Sequence, residues 1–374
     1  MGDEKGMVDT TPAPTTANAS LPKVVRIAVD AMGGDKAPDI NVRGALLAIS
    51  KVSQTEGAVL KLVLVGNRAV LEPQLKKYGG KESETIVIHH CDEVISMDDH
   101  ATSAIRKKKN SSIHVGLQLL EEGQVDAFIS AGNSGAVMAG ALLINGRLSD
   151  VERPAIVIKL PTAEGSVILL DVGANVDCKP IHLSQFAEMG HVYAEIIEGI
   201  PFPRIGLLSN GSESHKGNEL TREPDALLRQ RKGLNYRGYV EGFDLFRGTA
   251  DVVVCDGFVG NVLLKLSEGL AETTVHWFKK EVHKTFLGML GVTLLRKVVR
   301  RFKQKFDYQP YGAAPLLGIN GMVLISHGSS TEIAIRNGIL TARRGVQQNF
   351  ISKISKHLEQ HLSKGTRTEA KQTT

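Results

Sequence analysis

Six clusters of Gly, Asn and Asp follow apolar runs along this chain: Asp30 with Gly33, Gly34 and Asp35; Gly66 with Asn67; Ser130 with Gly132, Asn133, Ser134 and Gly135; Asp171 with Gly173, Ala174 and Asn175; Asn210 with Gly211; and Asp256 with Gly257, Gly260 and Asn261. Glycine lets backbone amides come close to an anion, and a helix starting behind such a turn adds partial positive charge. One such turn is ordinary helix-start chemistry. Six in one chain point to binding of a phosphate or an oxyanion. Candidate catalytic groups stand beside them: Lys179 and His182 after the Asp171 turn, Lys216 between His215 and Gly217, and His327 in a His-Gly-Ser-Ser turn. Lysine is a mobile point charge suited to a tetrahedral anion. Histidine moves a proton near neutral pH. Each has a bland reading too: a solvated loop lysine at 216, a satisfied structural histidine at 182, a helix-start residue beside Ser329 at 327.

Familiar phosphate motifs are absent. No G-x-G-x-x-G follows a strand, no G-x-x-x-x-G-K-[ST] is present, and Gly132 to Ala136 lacks the final glycine of a nucleophile elbow. Dinucleotide redox chemistry, P-loop hydrolysis and serine hydrolysis lose weight. His89, His90, Cys91 and Asp92 alternate across a strand and cannot close on one ion. Catalysis by positioning and electrostatics remains, the kind that suits attack of phosphate on an activated carbonyl. Neither a cofactor nor a metal is expected.

The elements that must position these groups repeat one grammar: a short β-branched run, a glycine-bearing turn, then ten or more residues at helical spacing. Strands are expected at 24–29, 61–65, 85–89, 125–129, 155–160, 167–170, 204–208, 236–240, 251–254 and 321–325. Many are apolar throughout, which predicts a doubly wound α/β fold with a mainly parallel sheet covered by helices on both faces. Ligands then bind beyond the carboxyl ends of the strands, in one crevice. Residues 23–361 are expected to form a single domain, with 1–22 and 362–374 as disordered tails and 276–306 as a protruding basic arm.

The 374 residues, 42% hydrophobic and 23% charged, suffice for a large core. No run is apolar enough for a membrane span and no secretory signal is evident. The three cysteines, Cys91, Cys178 and Cys255, are scattered, which fits a reducing, cytosolic setting. The net charge of +5 is local: residues 279–305 carry +8, and the rest of the chain −3. Charge confined to an apolar-rich segment marks a docking surface and argues against nucleic acid. There Leu290, Leu294, Leu295, Val298, Phe302 and Phe306 share a helical face, while Arg296, Lys297, Arg300 and Lys303 occupy the other. Phe286, Leu287, Met289 and Leu290, broken by Gly288 and Gly291, form an apolar tip ringed by cations, as in an interfacial membrane anchor. A dimer arm and a dock for an acidic carrier protein are the competing readings.

Asp30-Ala-Met-Gly-Gly-Asp35, Ser130-Ala-Gly-Asn-Ser-Gly135, Arg153-Pro-Ala155, Asp171-Val-Gly-Ala-Asn175, Lys216-Gly-Asn218, Asp256-Gly-Phe-Val-Gly-Asn261 and His327-Gly-Ser329 occur in this order. From about Val25 to about Arg344 the chain thereby resembles the phosphate acyltransferase (PlsX) family. The resemblance implies a homodimeric enzyme of phospholipid synthesis. It would convert acyl carrier protein thioester and inorganic phosphate into acyl phosphate, handed on to a membrane glycerol-3-phosphate acyltransferase. The scattered cysteines and the basic arm add, from the residues themselves, the expectation of a cytoplasmic enzyme that touches an anionic membrane. On that reading the phosphate cradle is built from Gly33, Gly34, Gly132 to Gly135 and Asn175, with Lys216 supplying charge, and Glu213 and Asn218 lie within the site. A non-catalytic acyl-carrier or lipid scaffold, and a short-chain phosphotransacylase using coenzyme A, are the alternatives.

Overall fold

The computed structural model describes residues 24–53, 59–299 and 312–361. The expected tails, and the outer part of the basic arm with Arg300, Phe302, Lys303 and Phe306, lie outside these residues. The strands are β1 (Val24–Asp30), β2 (Val59–Gly66), β3 (Ile86–His90), β4 (Ala127–Ser130), β5 (Ala155–Ile156), β6 (Ile158–Thr162), β7 (Gly165–Leu170), β8 (Arg204–Leu208), β9 (Asn235–Val240), β10 (Val252–Val254), β11 (Ala314–Leu317) and β12 (Met322–Ile325). The helices are α1 (Asp39–Ser53), α2 (Arg68–Lys77), α3 (Ala101–Lys107), α4 (Ser112–Glu121), α5 (Ser134–Gly140), α6 (Pro180–Ile196), α7 (Glu219–Arg229), α8 (Asp244–Arg247), α9 (Gly257–Val282), α10 (Phe286–Leu294), α11 (Glu332–Gln347) and α12 (Phe350–His361).

The strands form two sheets. The first runs β3-β2-β1-β4-β12-β11-β5 and the second β6-β7-β10-β8-β9. Both are parallel except where β11 meets β12 and β5, and where β6 meets β7. The α/β class holds, with the strands divided between two sheets instead of one. The expected strand at 155–160 is interrupted at Val157: β5 closes the edge of the first sheet, and β6 opens the second. Val157 donates its N–H to Pro315 of the first sheet. β11 was not foreseen, because its Ala-Pro-Leu-Leu is too short and proline-bearing to stand out as a strand.

The largest apolar cluster joins both sheets, with Ile27 and Val29 of β1, Leu170 of β7 and Leu207 of β8 in one contiguous body. α6 runs through it, and His182 to Ala194 are all buried. Phe128 and Val137 pack on the opposite face of the first sheet, and Val167 and Val253 on that of the second. Both sheets are therefore covered on two sides, which is why their strands read as continuous apolar runs.

α9 behaves differently. Of its 26 residues only Gly257 and Gly260 are buried, and α10 buries none. The arm breaks at Lys284 and Thr285 rather than at the glycines. Thr285 caps α10 by accepting the Gly288 N–H at 3.0 Å, so Gly288 and Gly291 sit inside a helix. Among the described residues, no helix is long and apolar enough to cross a membrane.

Candidate active site

Each sheet places glycine turns at the carboxyl ends of its parallel strands. At the first sheet, the loops after β1, β4 and β12 meet. Asp30 is fully buried; its carboxylate accepts from the Ser130 hydroxyl at 2.6 Å and from the Met32 N–H at 3.1 Å. Ser130 in turn accepts the Gly132 N–H at 3.0 Å. Gly33 is obligatory, since a Cβ there would stand 2.3 Å from Asp30 Oδ2 and 2.6 Å from Gly132 N. Asp35 donates its N–H to Gly328, which ties the β12 loop to the same rim.

Asn133 holds this rim from within: its amide donates to the carbonyls of Ser96, Met97 and Asp99, and its Oδ1 caps α5 through the Ala136 N–H. Ser134 and Gly135, in the first turn of α5, present backbone amides. The His327 ring leans on its own turn, Nδ1 accepting the Ser329 N–H at 3.2 Å. A ring nitrogen that accepts from a backbone N–H leaves the proton on Nε2. His327 is exposed.

The second sheet repeats this plan. Asp171, at the end of β7, is completely buried, and its two oxygens accept four N–H groups: Ile156 at 2.9 Å, Ala174 at 3.1 Å, and the Asn175 backbone and side chain at 2.7 and 2.9 Å. Burial pushes both Asp30 and Asp171 above the ordinary carboxylate range, and these donors oppose the shift. Gly260 of α9 lies against the Asp171 carbonyl, leaving only 1.9 Å for a Cβ. Gly173 packs beside Asn261, while Asp256 caps α9 through the Val259 N–H at 3.0 Å.

Asp30, Asn133, Asp171, Asn175, Asp256 and Asn218 were expected to face ligand. Their side chains are instead occupied within the protein, shaping the loops. Asn218 caps α7 and Asn175 also donates to Pro154 at 2.7 Å. Asn210 accepts the Gly217 N–H at 3.1 Å, closing the loop that carries Gly211, Glu213 and Lys216. The Lys216 stem packs over Gly211. Among the described residues, the amines of Lys179 and Lys216 form no ion pair.

His182 is committed. Only 3% exposed, it accepts the Lys179 N–H on Nδ1 at 3.1 Å, and its Nε2 meets Glu152 at 3.2 Å. Burial lowers its pKa below the ordinary value; Glu152 opposes the shift, and Arg153 and Lys179 add to it. The structural reading of His182 is the one this geometry favours, while His327 stays exposed. Glu152 and Arg153 were assigned no role from sequence. The only signal was the Arg-Pro-Ala triplet before a strand.

The first sheet's rim thus gathers Gly33, Gly34, Asp35, Gly132 to Gly135 and His327. The second sheet's gathers Asp171 to Asn175, Lys179, His182 and the α9 start. The loop with Asn210, Gly211, Glu213, Lys216 and Asn218 follows β8, two strands from β7. The bond from Ile156 to Asp171 fixes the second rim at the point where the first sheet ends. Amides, two lysines and an imidazole N–H, with the buried carboxylates withdrawn, suit an anion and a developing oxyanion.

Comparison with known proteins follows the same line. Residues 25–353 match the family model described as fatty acid synthesis protein. The chain is 51% identical over 337 residues to the phosphate acyltransferase of Trichlorobacter lovleyi, covering 89% of this chain and 95% of that one. It is 50% identical over 334 residues to the phosphate acyltransferase of Geobacter sulfurreducens, covering 88% and 94%. Among solved structures, EutD phosphotransacetylase from Staphylococcus aureus shares the fold at TM-score 0.56 and 15% identity, covering 88% of this chain and 96% of that chain. A phosphotransacetylase from Streptococcus pyogenes does so at 0.55 and 20%, covering 87% and 95%. With half of its residues identical across nearly the whole length of such relatives, this chain belongs to the fatty acid synthesis protein family that includes the phosphate acyltransferases.

Proposed function

We propose that this chain transfers a long-chain acyl group from the thioester of acyl carrier protein to orthophosphate. One observation carries the reading: uncommitted cations and an exposed imidazole at rims whose own carboxylates are buried and satisfied, in a chain about half identical to phosphate acyltransferases. An oxygen of hydrogen phosphate attacks the thioester carbonyl carbon, the new C–O bond forms, and the C–S bond breaks. The phosphate proton ends on the departing sulfur, and the products are acyl phosphate and the free carrier thiol. Lys216 and the rim amides hold the phosphate. The amides of Ser134 and Gly135 face the developing oxyanion, and His327 relays the proton to sulfur. No protein nucleophile and no cofactor enters the scheme.

Residues 23–361 work as one unit, supported by the core shared between the sheets. The enzyme acts in the cytoplasm as a homodimer beside an anionic membrane, and delivers acyl phosphate to a membrane glycerol-3-phosphate acyltransferase. The arm supports both associations: Val262, Leu266, Leu270 and Trp277 line one face of α9, each more than half exposed, and Phe286 and Leu287 are 77% exposed on α10. Contiguous apolar surface of this kind marks an interface.

The test offers long-chain acyl carrier protein and acyl coenzyme A, each with and without phosphate, and traps acyl phosphate with hydroxylamine. Phosphate-dependent product from the carrier thioester is expected. No product from either thioester favours a binding scaffold, and turnover confined to short-chain coenzyme A thioesters favours a phosphotransacylase.

A further inference from the structure

We infer that Arg153 is a phosphate-binding residue of the second sheet's rim, the fixed guanidinium that seats orthophosphate there. The inference rests on the acyl-transfer reading and adds a residue and a subsite to it. Both neighbours of Arg153 are locked. Glu152 donates its N–H to the Gln185 side chain at 3.0 Å, and its carbonyl accepts from Arg147. Pro154, buried and restricted in φ, accepts from the buried Asn175 amide at 2.7 Å. Two residues on, Ile156 is held by Asp171 at 2.9 Å. The backbone of Arg153 is therefore stapled to the same loop that shapes the rim.

Its side chain is exposed, and its place in the chain, between Glu152, which meets His182, and Pro154, which accepts from Asn175, sets Arg153 beside the 171–182 loop. Six other arginines, Arg26, Arg43, Arg68, Arg204, Arg229 and Arg231, each have a carboxylate within ion-pair distance. Among the described residues, Arg153 has none. The nearby carboxylates are spent: Asp171 on four N–H groups, Asp256 on the α9 cap, Glu152 on His182. Lys179 adds a second positive charge, felt at the same histidine; exposed Asp177 is the acid left nearby in the loop. Two cations without protein counterions suit a phosphate group carrying about −1.5 to −2. A guanidinium fork meets two of its oxygens at once.

A phosphate group has two sources here: free orthophosphate, and the phosphodiester that links a carrier protein to its thiol arm. The doubly charged ion matches the two cations better than a singly charged diester does.

The experiment compares wild type, Arg153→Gln and Arg153→Lys. Arg153→Gln raises KM for phosphate by about tenfold or more, the typical worth of a charge-assisted hydrogen bond. KM for the carrier thioester stays put, and Arg153→Lys recovers part of the loss. Inorganic phosphate raises the melting temperature of wild type, and that rise shrinks in Arg153→Gln. A folded Arg153→Gln with KM for phosphate within about twofold of wild type overturns the inference. So does a rise in KM for the carrier alone, which gives Arg153 to the diester. If wild type makes no acyl phosphate, the function reading fails, while the melting series still decides whether Arg153 holds phosphate.

Discussion

At the scale of single residues, the site sorts polar groups into those that hold the loops and those that face the crevice. Asp171 is the clearest holder. Asp171→Asn puts an amide donor where four N–H groups already point, leaving buried donors unpaired at about 1–3 kcal/mol each. Denaturant unfolding is expected to show that loss together with loss of turnover; an Asp171→Asn variant as stable as wild type contradicts the assignment. The two histidines separate in the same way. His182→Gln removes a buried ring that pairs with exposed Glu152 and lowers stability first. His327→Gln touches an exposed ring, so melting holds while turnover falls by about a hundredfold, the usual worth of one general acid. Equal turnover in His327→Gln and wild type removes His327 from the proton path. Sequence showed which residue types cluster at strand ends. It did not show that Asp30 and Asp171 turn inward, since a carboxylate that binds ligand and one that binds its own loop leave the same letters.

Among the elements, α6 carries the most. It starts at the site with Lys179 and His182 and ends in a buried polar layer under α12. There Glu188, 1% exposed, accepts from His357 at 2.7 Å, and His191 stacks on His357 at 5.3 Å, which in turn lies 4.4 Å from His361. Arg231 stands 3.9 Å from Glu188, and Glu195 lies 3.7 Å from His191. Burial, then the neighbouring His357, lowers the His191 pKa below the ordinary value. A base whose folded pKa is depressed contributes its stability in full above the unfolded value and loses it as pH falls below, because the unfolded chain takes the proton more readily. Melting temperature is therefore expected to drop from about pH 7 to about pH 5.5, and to drop less in His191→Gln. An unchanged pH slope in that variant contradicts the assignment. The α6 pattern was poorly legible because a helix buried on nearly every side shows little amphipathic periodicity. β11 escaped for a different reason, being four residues long and antiparallel at a sheet margin.

For the whole molecule, the α/β class and the placing of glycine turns at strand ends were readable from apolar runs and their punctuation. The split into two sheets was not, because it hangs on one residue, Val157, inside what reads as an unbroken strand. The halves echo each other: Arg26 grips Asp126 beside β4 as Arg204 grips Asp251 beside β10, each with a 2.7 Å guanidinium contact and a backbone N–H at 2.8 or 2.7 Å. The exposed arm yields two outcomes that can be read apart. Leu266→Glu with Leu270→Glu is expected to shift the protein to monomer in sedimentation, and a dimer that survives removes α9 from the interface. Leu287→Glu with Leu290→Glu is expected to abolish flotation with anionic liposomes while soluble turnover persists; continued flotation removes α10 as the anchor. α9 spans about 39 Å at the usual rise per residue, and its buried root rests on the Asp171 carbonyl through Gly260. The helix is thus a lever whose fulcrum is the loop that shapes the chemistry. Whatever grips its far end applies torque to that loop.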